Sequence, residues 1–121
     1  MPPFAHAPGP GQITVTDAHD RLRAGGAVLL DVREADEYAA GHSPDAVWQP
    51  LAAVAAAADL PAQAQGLVVL AICRSGNRSG RAAEFLAARG VEVLNVSGGM
   101  RAWAAAGLPV RNSAGRAGRV V

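Results

Sequence analysis

The feature that most constrains the fold is an uninterrupted apolar run, Leu-Val-Val-Leu-Ala-Ile, at residues 67–72. Strands that are covered on both faces are typically continuous apolar runs, whereas half-exposed strands alternate apolar with polar residues. Sheets covered on both faces are mostly parallel, because each crossover between parallel strands places a helix on one face. The run therefore predicts the central strand of a parallel sheet that lies between two layers of helices.

Shorter segments on either side of this run alternate between strand and helix patterns. Apolar and β-branched residues predict further strands over residues 13–15, 27–31, 47–48 and 91–96. Capping residues and glycine stops predict helices from Thr16 or Asp17 to about residue 24, from Glu34 to Gly41, and over residues 51–58, 79–89 and 100–106. The alternation predicts a three-layer α/β fold in which helices flank a mostly parallel sheet of about five strands.

The chain of 121 residues is long enough for one compact domain and too short for two. Proline and glycine crowd residues 1–11, and we expect an extended lead-in there because neither residue supports a helix or a central strand. The domain is expected to occupy residues 12–110. Residues 111–121 mix Arg, Gly, Ser and Asn without an apolar period, which predicts a flexible basic tail.

Composition excludes several classes of function. The 11 basic residues, all arginine, balance 10 Asp and Glu residues, so no charge excess drives binding to nucleic acid or to a membrane surface. The absence of lysine excludes Schiff bases and phosphate-binding loops that end in Gly-Lys-Ser/Thr. No apolar run reaches the ~18 residues of a membrane helix and no signal peptide is recognised, so we expect a cytoplasmic protein. The three histidines lack ligand-like spacing, and neither a metal nor another cofactor is predicted.

The single cysteine of the chain, Cys73, follows the predicted central strand directly. In open α/β sheets, ligands bind beyond the carboxyl ends of the strands, where loops lead into helix N-termini. A loop of small residues can curl there so that backbone N–H groups, the helix dipole and nearby guanidinium groups favour an anion at one point. We therefore predict that Cys73 is a thiolate nucleophile and that its substrate is bound by the loop residues Arg74, Ser75, Gly76, Asn77 and Arg78.

A solitary cysteine at the end of a buried strand is more often a small apolar core residue than a nucleophile. The residues after Cys73 argue against that interpretation, because a structural cysteine needs neither a turn that contains glycine nor two cationic side chains within the next five positions. Asp31 and Arg33 also follow a strand, and we interpret them as structural hydrogen-bonding residues rather than catalytic ones. We assign no role as a base to His42.

Three segments of the chain are motifs that occur together in one known family. They are Asp31-Val32-Arg33-Glu34 with Glu37-Tyr38 and Gly41-His42-Ser43-Pro44-Asp45-Ala46, the loop Cys73-Arg74-Ser75-Gly76-Asn77-Arg78-Ser79, and Gly98-Gly99-Met100-Arg101-Ala102-Trp103 with Gly107-Leu108-Pro109-Val110. Together the segments resemble the rhodanese-like sulfurtransferases in their small single-domain form, over about residues 13–110. The second segment matches the persulfide-forming loop of that family in its common bacterial form.

The resemblance implies a rhodanese-like fold and the activity of a thiosulfate sulfurtransferase. In that activity the Cys73 thiolate takes the outer sulfur of a small donor such as thiosulfate, sulfite leaves, and the sulfur stays on Cys73 as a persulfide. Cyanide, a thiol or a protein sulfur acceptor then removes it. Because the chain has no second cysteine, the resolving thiol must belong to another molecule.

Two other functions stay open at this point. The first is a rhodanese-like interaction module without activity, although such modules usually lack the cysteine. The second is a phosphatase or an arsenate reductase, because a related loop binds tetrahedral oxyanions in those enzymes. Those enzymes place five residues between cysteine and arginine, whereas only four separate Cys73 from Arg78, and the smaller ring suits a single sulfur atom better.

Overall fold

Five parallel strands form the centre of the fold, which a computed structural model describes over residues 10–121. The strands are β1 (Gln12–Ile13), β2 (Ala27–Asp31), β3 (Ala46–Trp48), β4 (Val68–Ile72) and β5 (Val93–Val96). They lie in the order β1-β5-β4-β2-β3, and every neighbouring pair is parallel. The predicted mostly parallel sheet of about five strands is confirmed. The expected lead-in at residues 1–11 lies, except for its last two residues, outside the described part of the chain.

Helices cover both faces of the sheet. They are α1 (Val15–Ala24), α2 (Ala35–Ala40), α3 (Leu51–Ala55), α4 (Asn77–Ala88) and α5 (Gly99–Ala105), with a 3₁₀ turn at Ala62–Ala64. One apolar core joins α3 and α4 to the sheet through Val69 and Ala71, and the other joins α1 and α5 to it through Leu70 and Ile72. Successive side chains of β4 are therefore buried on opposite faces, as the continuous apolar run predicts. Within residues 10–121, no helix is long and apolar enough to cross a membrane.

The first helix begins earlier than the sequence predicts. The first predicted strand is present but lies at Gln12–Ile13 instead of residues 13–15. The Thr14 hydroxyl accepts a hydrogen bond from the Asp17 N–H at 3.2 Å and caps α1, so the predicted cap at Thr16 or Asp17 is wrong. Val15 explains the error, because it enters the core from the first turn of a helix although its β-branched side chain also fits a strand.

A buried ion pair ties the end of β2 to the end of α2. Arg33 Nε lies 2.9 Å from Asp31 Oδ1, Arg33 Nη2 lies 2.7 Å from Asp31 Oδ2, and neither side chain is exposed. Arg33 Nη2 also donates a hydrogen bond to the main-chain oxygen of Gly41 at 2.7 Å. These contacts fit the structural role that the sequence analysis assigns to Asp31 and Arg33. They also help to position α2, none of whose own residues is buried.

Residues 111–121 fold back against α2, and we call this segment the C-terminal strap. Arg111 and His42 exchange two main-chain hydrogen bonds of 2.8 Å, and the Arg119 N–H donates to the Ala40 oxygen at 2.9 Å. This course differs from the flexible basic tail that the sequence predicts. The reason is that main-chain hydrogen bonds hold the strap, and such bonds leave no apolar period in a sequence.

Close main-chain packing at Gly41 seats the strap. A Cβ atom added at Gly41 would overlap main-chain atoms of Arg119, although the backbone of Gly41 is extended and open to any residue. Val120, the next residue of the strap, packs against the core on the face of α1 and α5. Position 41 therefore requires glycine because any side chain would collide with the strap, and not because its backbone angles exclude other residues.

We expect Gly41→Ala to displace the strap from α2, because the added methyl group meets main-chain atoms that cannot rotate away. Hydrogen exchange of the strap amides, measured by mass spectrometry, should become at least about tenfold faster. Gly107→Ala is the control: Gly107 has a φ of 76° and open space around it, so alanine there adds strain of about 1 kcal/mol without touching the strap. Equal exchange of the strap in both variants would contradict the packing argument.

We expect Asp31→Asn to lower the free energy of unfolding by about 3–5 kcal/mol, because it leaves the buried Arg33 guanidinium without a counter-charge. The free energy of unfolding of the double variant Asp31→Leu/Arg33→Met should fall much less, since this variant removes both charges and fills the space with apolar side chains. Urea unfolding monitored by circular dichroism measures both changes. A loss below about 1 kcal/mol in Asp31→Asn would show that the pair is not a stabilising link.

Candidate active site

Cys73 lies at the carboxyl end of β4, where the central strand gives way to the loop that enters α4. Its side chain is only 1% exposed and belongs to the core on the α3 and α4 face. The loop is short because α4 begins at Asn77, two residues earlier than the sequence predicts. A buried thiol thus sits next to the N-terminus of a helix of 12 residues.

Hydrogen-bond donors from the loop surround the Cys73 sulfur. The Gly76 N–H donates to Sγ at 3.1 Å, and the Ser79 hydroxyl oxygen lies 3.3 Å from Sγ. Burial raises the pKa of the Cys73 thiol, but the Ser79 hydroxyl and the N–H groups of Ser79, Gly76 and Ser75 outweigh it, so the pKa lies below its ordinary value. The loop therefore favours the thiolate, which is the reactive form of cysteine.

Gly76 supplies the turn that aims these donors. Its φ of 109° lies in the left-handed region, which side chains other than glycine rarely adopt, and it caps the start of α4. Asn77, the next residue, is exposed and opens the helix. Among the predicted loop residues, Gly76 donates its N–H to the sulfur and the Ser75 N–H helps to lower the pKa of Cys73, whereas Asn77 makes no hydrogen bond to the sulfur within the described residues.

The N-terminus of α5 holds the outer side of the loop. The Met100 N–H donates to the Cys73 oxygen at 2.7 Å, and the Arg101 N–H donates to the Arg74 oxygen at 3.0 Å. Gly99 allows this contact, because its φ is 58° and an added Cβ would overlap main-chain atoms of both Cys73 and Arg74. Gly98-Gly99 begins the third motif, but the sequence alone does not predict this positioning role.

A buried network extends from the loop to β5. The single proton of the Ser79 hydroxyl can be donated either to Cys73 Sγ or to Asn95 Oδ1, which lies 2.6 Å from the hydroxyl oxygen. Asn95 Nδ2 donates to the Gly76 oxygen at 3.1 Å and to Gln12 Oε1 at 3.0 Å. Asn95 thus joins the two residues that contact Cys73 Sγ. The sequence analysis did not select Ser79 or Asn95, although a polar residue in the middle of a predicted strand, as Asn95 is, signals a buried hydrogen-bond network.

Arg78, a predicted substrate-binding residue, forms a two-pronged ion pair with Glu37 of α2. Arg78 Nη1 lies 2.6 Å from Glu37 Oε1, and Arg78 Nη2 lies 2.8 Å from Glu37 Oε2. The hydrogen bond from Arg78 lowers the pKa of Glu37 to about 2, against the opposing effect of burial, and the Glu34 N–H assists. Glu37 therefore stays charged at neutral pH and compensates the charge of Arg78. The sequence analysis did not predict this partner.

Arg74, the other predicted cation, is exposed. Its Nε donates to the main-chain oxygen of Val121 in the C-terminal strap at 3.1 Å. His42, to which we assigned no role as a base, stacks on Tyr38 at 3.8 Å between ring centroids and makes its side-chain hydrogen bond to the Tyr38 oxygen. The Gly76 N–H and the Ser79 hydroxyl, rather than guanidinium groups, are thus the hydrogen-bond contacts of Cys73 Sγ within residues 10–121.

The amino-acid sequence of the chain is similar to those of known proteins. The family described as the rhodanese-like domain matches residues 14–106. An uncharacterized protein of Synechocystis sp. is 43% identical over 83 residues, which make up 68% of this chain and 45% of that protein. The chain thus spans less than half the length of this relative.

Several solved structures share the fold. A rhodanese-related protein from Thermoplasma volcanium has a TM-score of 0.71 and 27% identity, over 83% of this chain and 96% of its own. A rhodanese-like domain protein from Staphylococcus aureus has a TM-score of 0.67 and 30% identity, over 77% and 90%. A thiosulfate sulfurtransferase from Pseudomonas aeruginosa has a TM-score of 0.73 and 30% identity, over 88% of this chain and 20% of its own. With most of its length matched and the three motifs set around one buried cysteine, the chain belongs to the rhodanese-like domain family.

Proposed function

We propose that the protein is a sulfurtransferase that carries sulfane sulfur as a persulfide on Cys73. The observation that supports this most is the hydrogen bond from the Gly76 N–H to the buried Cys73 sulfur, beside the Ser79 hydroxyl and the N-terminus of α4, which together favour a negative charge. The rhodanese-like fold supports sulfurtransferase-type activity at the level of the family, and one structural relative is a thiosulfate sulfurtransferase. Thiosulfate is accordingly the first donor to test.

In the first step the Cys73 thiolate attacks the outer sulfur of the donor. With thiosulfate, a bond forms between Cys73 Sγ and the outer sulfur, the sulfur–sulfur bond of the donor breaks, and sulfite leaves with the electron pair. The product is a persulfide on Cys73 whose outer sulfur carries the negative charge. The loop N–H groups favour both anions, the thiolate before the step and the persulfide after it.

In the second step an acceptor removes the outer sulfur. Cyanide attacks this sulfur, thiocyanate forms, and the electron pair of the broken bond returns to Cys73 as a thiolate. A small thiol or a protein thiol replaces cyanide in a cell, and it must come from another molecule because Cys73 is the only cysteine of the chain. We infer a reducing compartment such as the cytoplasm, since a lone thiol has to stay reduced between turnovers.

The ion pair of Arg78 with Glu37 argues against an oxyanion hydrolase. Such an enzyme uses the arginine of its loop to bind a tetrahedral oxyanion, whereas both outer nitrogens of Arg78 already bind a carboxylate. An interaction module without activity does not need a hydrogen-bonded thiol, which this loop retains. Sulfur transfer therefore accounts for more of the site than either alternative.

We expect Cys73→Ser to reduce thiocyanate formation from thiosulfate and cyanide by at least about 100-fold, because serine cannot form a persulfide. Intact-mass spectrometry after incubation with thiosulfate alone should show wild-type protein one sulfur atom heavier and the variant unchanged. Hydrolysis of an aryl phosphate should stay at background in both proteins. Full activity in the serine variant, or rapid phosphate release by the wild type, would overturn the proposed function.

We expect the rate of Cys73 alkylation by iodoacetamide to rise with pH and to reach its midpoint below the ordinary thiol pKa of ~8.5. Ser79→Ala removes a donor to the thiolate, so the thiol pKa should rise by about one unit and the midpoint should move to higher pH. Ser75→Ala is the matched control, because it removes a hydroxyl but keeps the N–H that faces Cys73. A midpoint that is the same in all three proteins would show that Ser79 does not stabilise the thiolate.

A further inference from the structure

Of the two arginine residues that the sequence places in the Cys73 loop, Arg78 has its positive charge compensated by a carboxylate, Glu37. Arg78 lies in the first turn of α4, five residues after Cys73. The hydrogen bonds with Glu37 raise the pKa of its guanidinium group, and a negative charge on Cys73 adds to this effect. The guanidinium group nevertheless faces a carboxylate that binds it through two hydrogen bonds. A doubly charged anion that approaches Cys73 therefore meets an ion pair at this position instead of an uncompensated cation.

We propose that Glu37 determines the specificity for the sulfur donor: by holding Arg78 in an ion pair, it favours donors with one negative charge, such as the persulfide of a small thiol, over dianionic thiosulfate. This inference rests on the proposed function of Cys73. With such a donor, Cys73 Sγ bonds to the outer sulfur, the sulfur–sulfur bond of the donor breaks, and the small thiol leaves as a thiolate with the electron pair.

Glu37 is held in place by contacts other than the one with Arg78. It can therefore compete effectively with a substrate anion for the Arg78 guanidinium group. The side chains of Glu37 and Glu34 form a reciprocal capping box at the start of α2, in which Glu37 Oε1 accepts the Glu34 N–H at 3.0 Å. The side chain of Glu37 is 16% exposed and that of Arg78 is 35% exposed. Thiosulfate could reach Arg78 only through the N–H groups that Glu37 leaves free, and there the neighbouring carboxylate would repel a dianion more strongly than an anion with one charge.

The other charged groups near the loop do not replace Arg78. Asp31 and Arg33 compensate each other in the buried pair below α2. Arg74 and Arg101 are exposed to solvent, where screening weakens their attraction for an anion. The half-buried Arg78 would attract a dianion most strongly, and it is the cation that Glu37 compensates.

The test compares two donors in the wild type and in Glu37→Gln. Glutamine keeps an acceptor for the Glu34 N–H but leaves Arg78 with an uncompensated charge. We expect kcat/KM for thiosulfate, divided by kcat/KM for cysteine persulfide, to rise about five- to tenfold in Glu37→Gln, mainly through a lower KM for thiosulfate. The KM for thiosulfate should also become more dependent on ionic strength, which a purely structural effect would not produce.

Two further variants isolate the role of the ion pair. Asp36→Asn makes the same change of net charge in the exposed first turn of α2, where Asp36 has no hydrogen bond to Arg78 among the described residues, and the donor ratio should stay within about twofold of wild type. The double variant Glu37→Gln/Arg78→Ala should not show the increased donor ratio, because the arginine charge that Glu37→Gln leaves uncompensated has been removed. A gain that persists in the double variant, or that also appears in Asp36→Asn, would overturn the inference.

The outcomes separate this inference from the proposed function. If neither donor adds sulfur to Cys73 of the wild type, as judged by intact mass, the proposed function is wrong and the specificity inference falls with it. If both donors load Cys73 but the donor ratio and its salt dependence are equal in the wild type and Glu37→Gln, only the specificity inference is wrong. Circular dichroism and a urea midpoint near that of the wild type establish that Glu37→Gln is folded.

Discussion

The contact between the Cys73 loop and the N-terminus of α5 is the interaction on which the site depends. A loop that turns N–H groups inward toward a sulfur atom turns carbonyl groups outward, and those oxygens need donors of their own. Met100 and Arg101 supply the donors to Cys73 and Arg74, and glycine at position 99 allows the two main chains to approach. These contacts hold the loop from the side opposite the sulfur, so its shape does not depend on contacts to the sulfur alone.

The parallel sheet explains how distant segments meet at this loop. Ile72 of β4 lies beside Asp31 of β2, and Ala71 of β4 lies beside Asn95 of β5, so the segments that follow these strands leave the sheet at one edge. Asn95 reaches the loop from β5 through Ser79. On the other side, α2 follows β2 and presents Glu37 to Arg78. Sheet order, rather than proximity along the chain, therefore decides which side chains act on Cys73.

The parts of the structure that could be predicted from the sequence are those with a local signal. The apolar run at residues 67–72 predicted a central strand and placed Cys73 at its carboxyl end, and Gly76 marked the turn that aims donors at the sulfur. The pairing of Arg78 with Glu37 spans 41 residues and depends on where α2 lies, so the sequence predicted two cations at the site without the carboxylate. The C-terminal strap was missed for a different reason, since main-chain hydrogen bonds leave no pattern of side chains.

Hydrogen-bond donors at Cys73 and guanidinium groups near it act on anions over different distances. The Gly76 N–H and the Ser79 hydroxyl contact Cys73 Sγ at 3.1 and 3.3 Å and help to lower its pKa, and such dipoles act only at short range. A guanidinium group acts over longer distances and would attract any anion, the donor included. Glu37 compensates Arg78, whereas the Gly76 N–H is directed at Cys73. In the proposed mechanism, activation of the thiol and selection of the donor by charge are therefore carried by different residues.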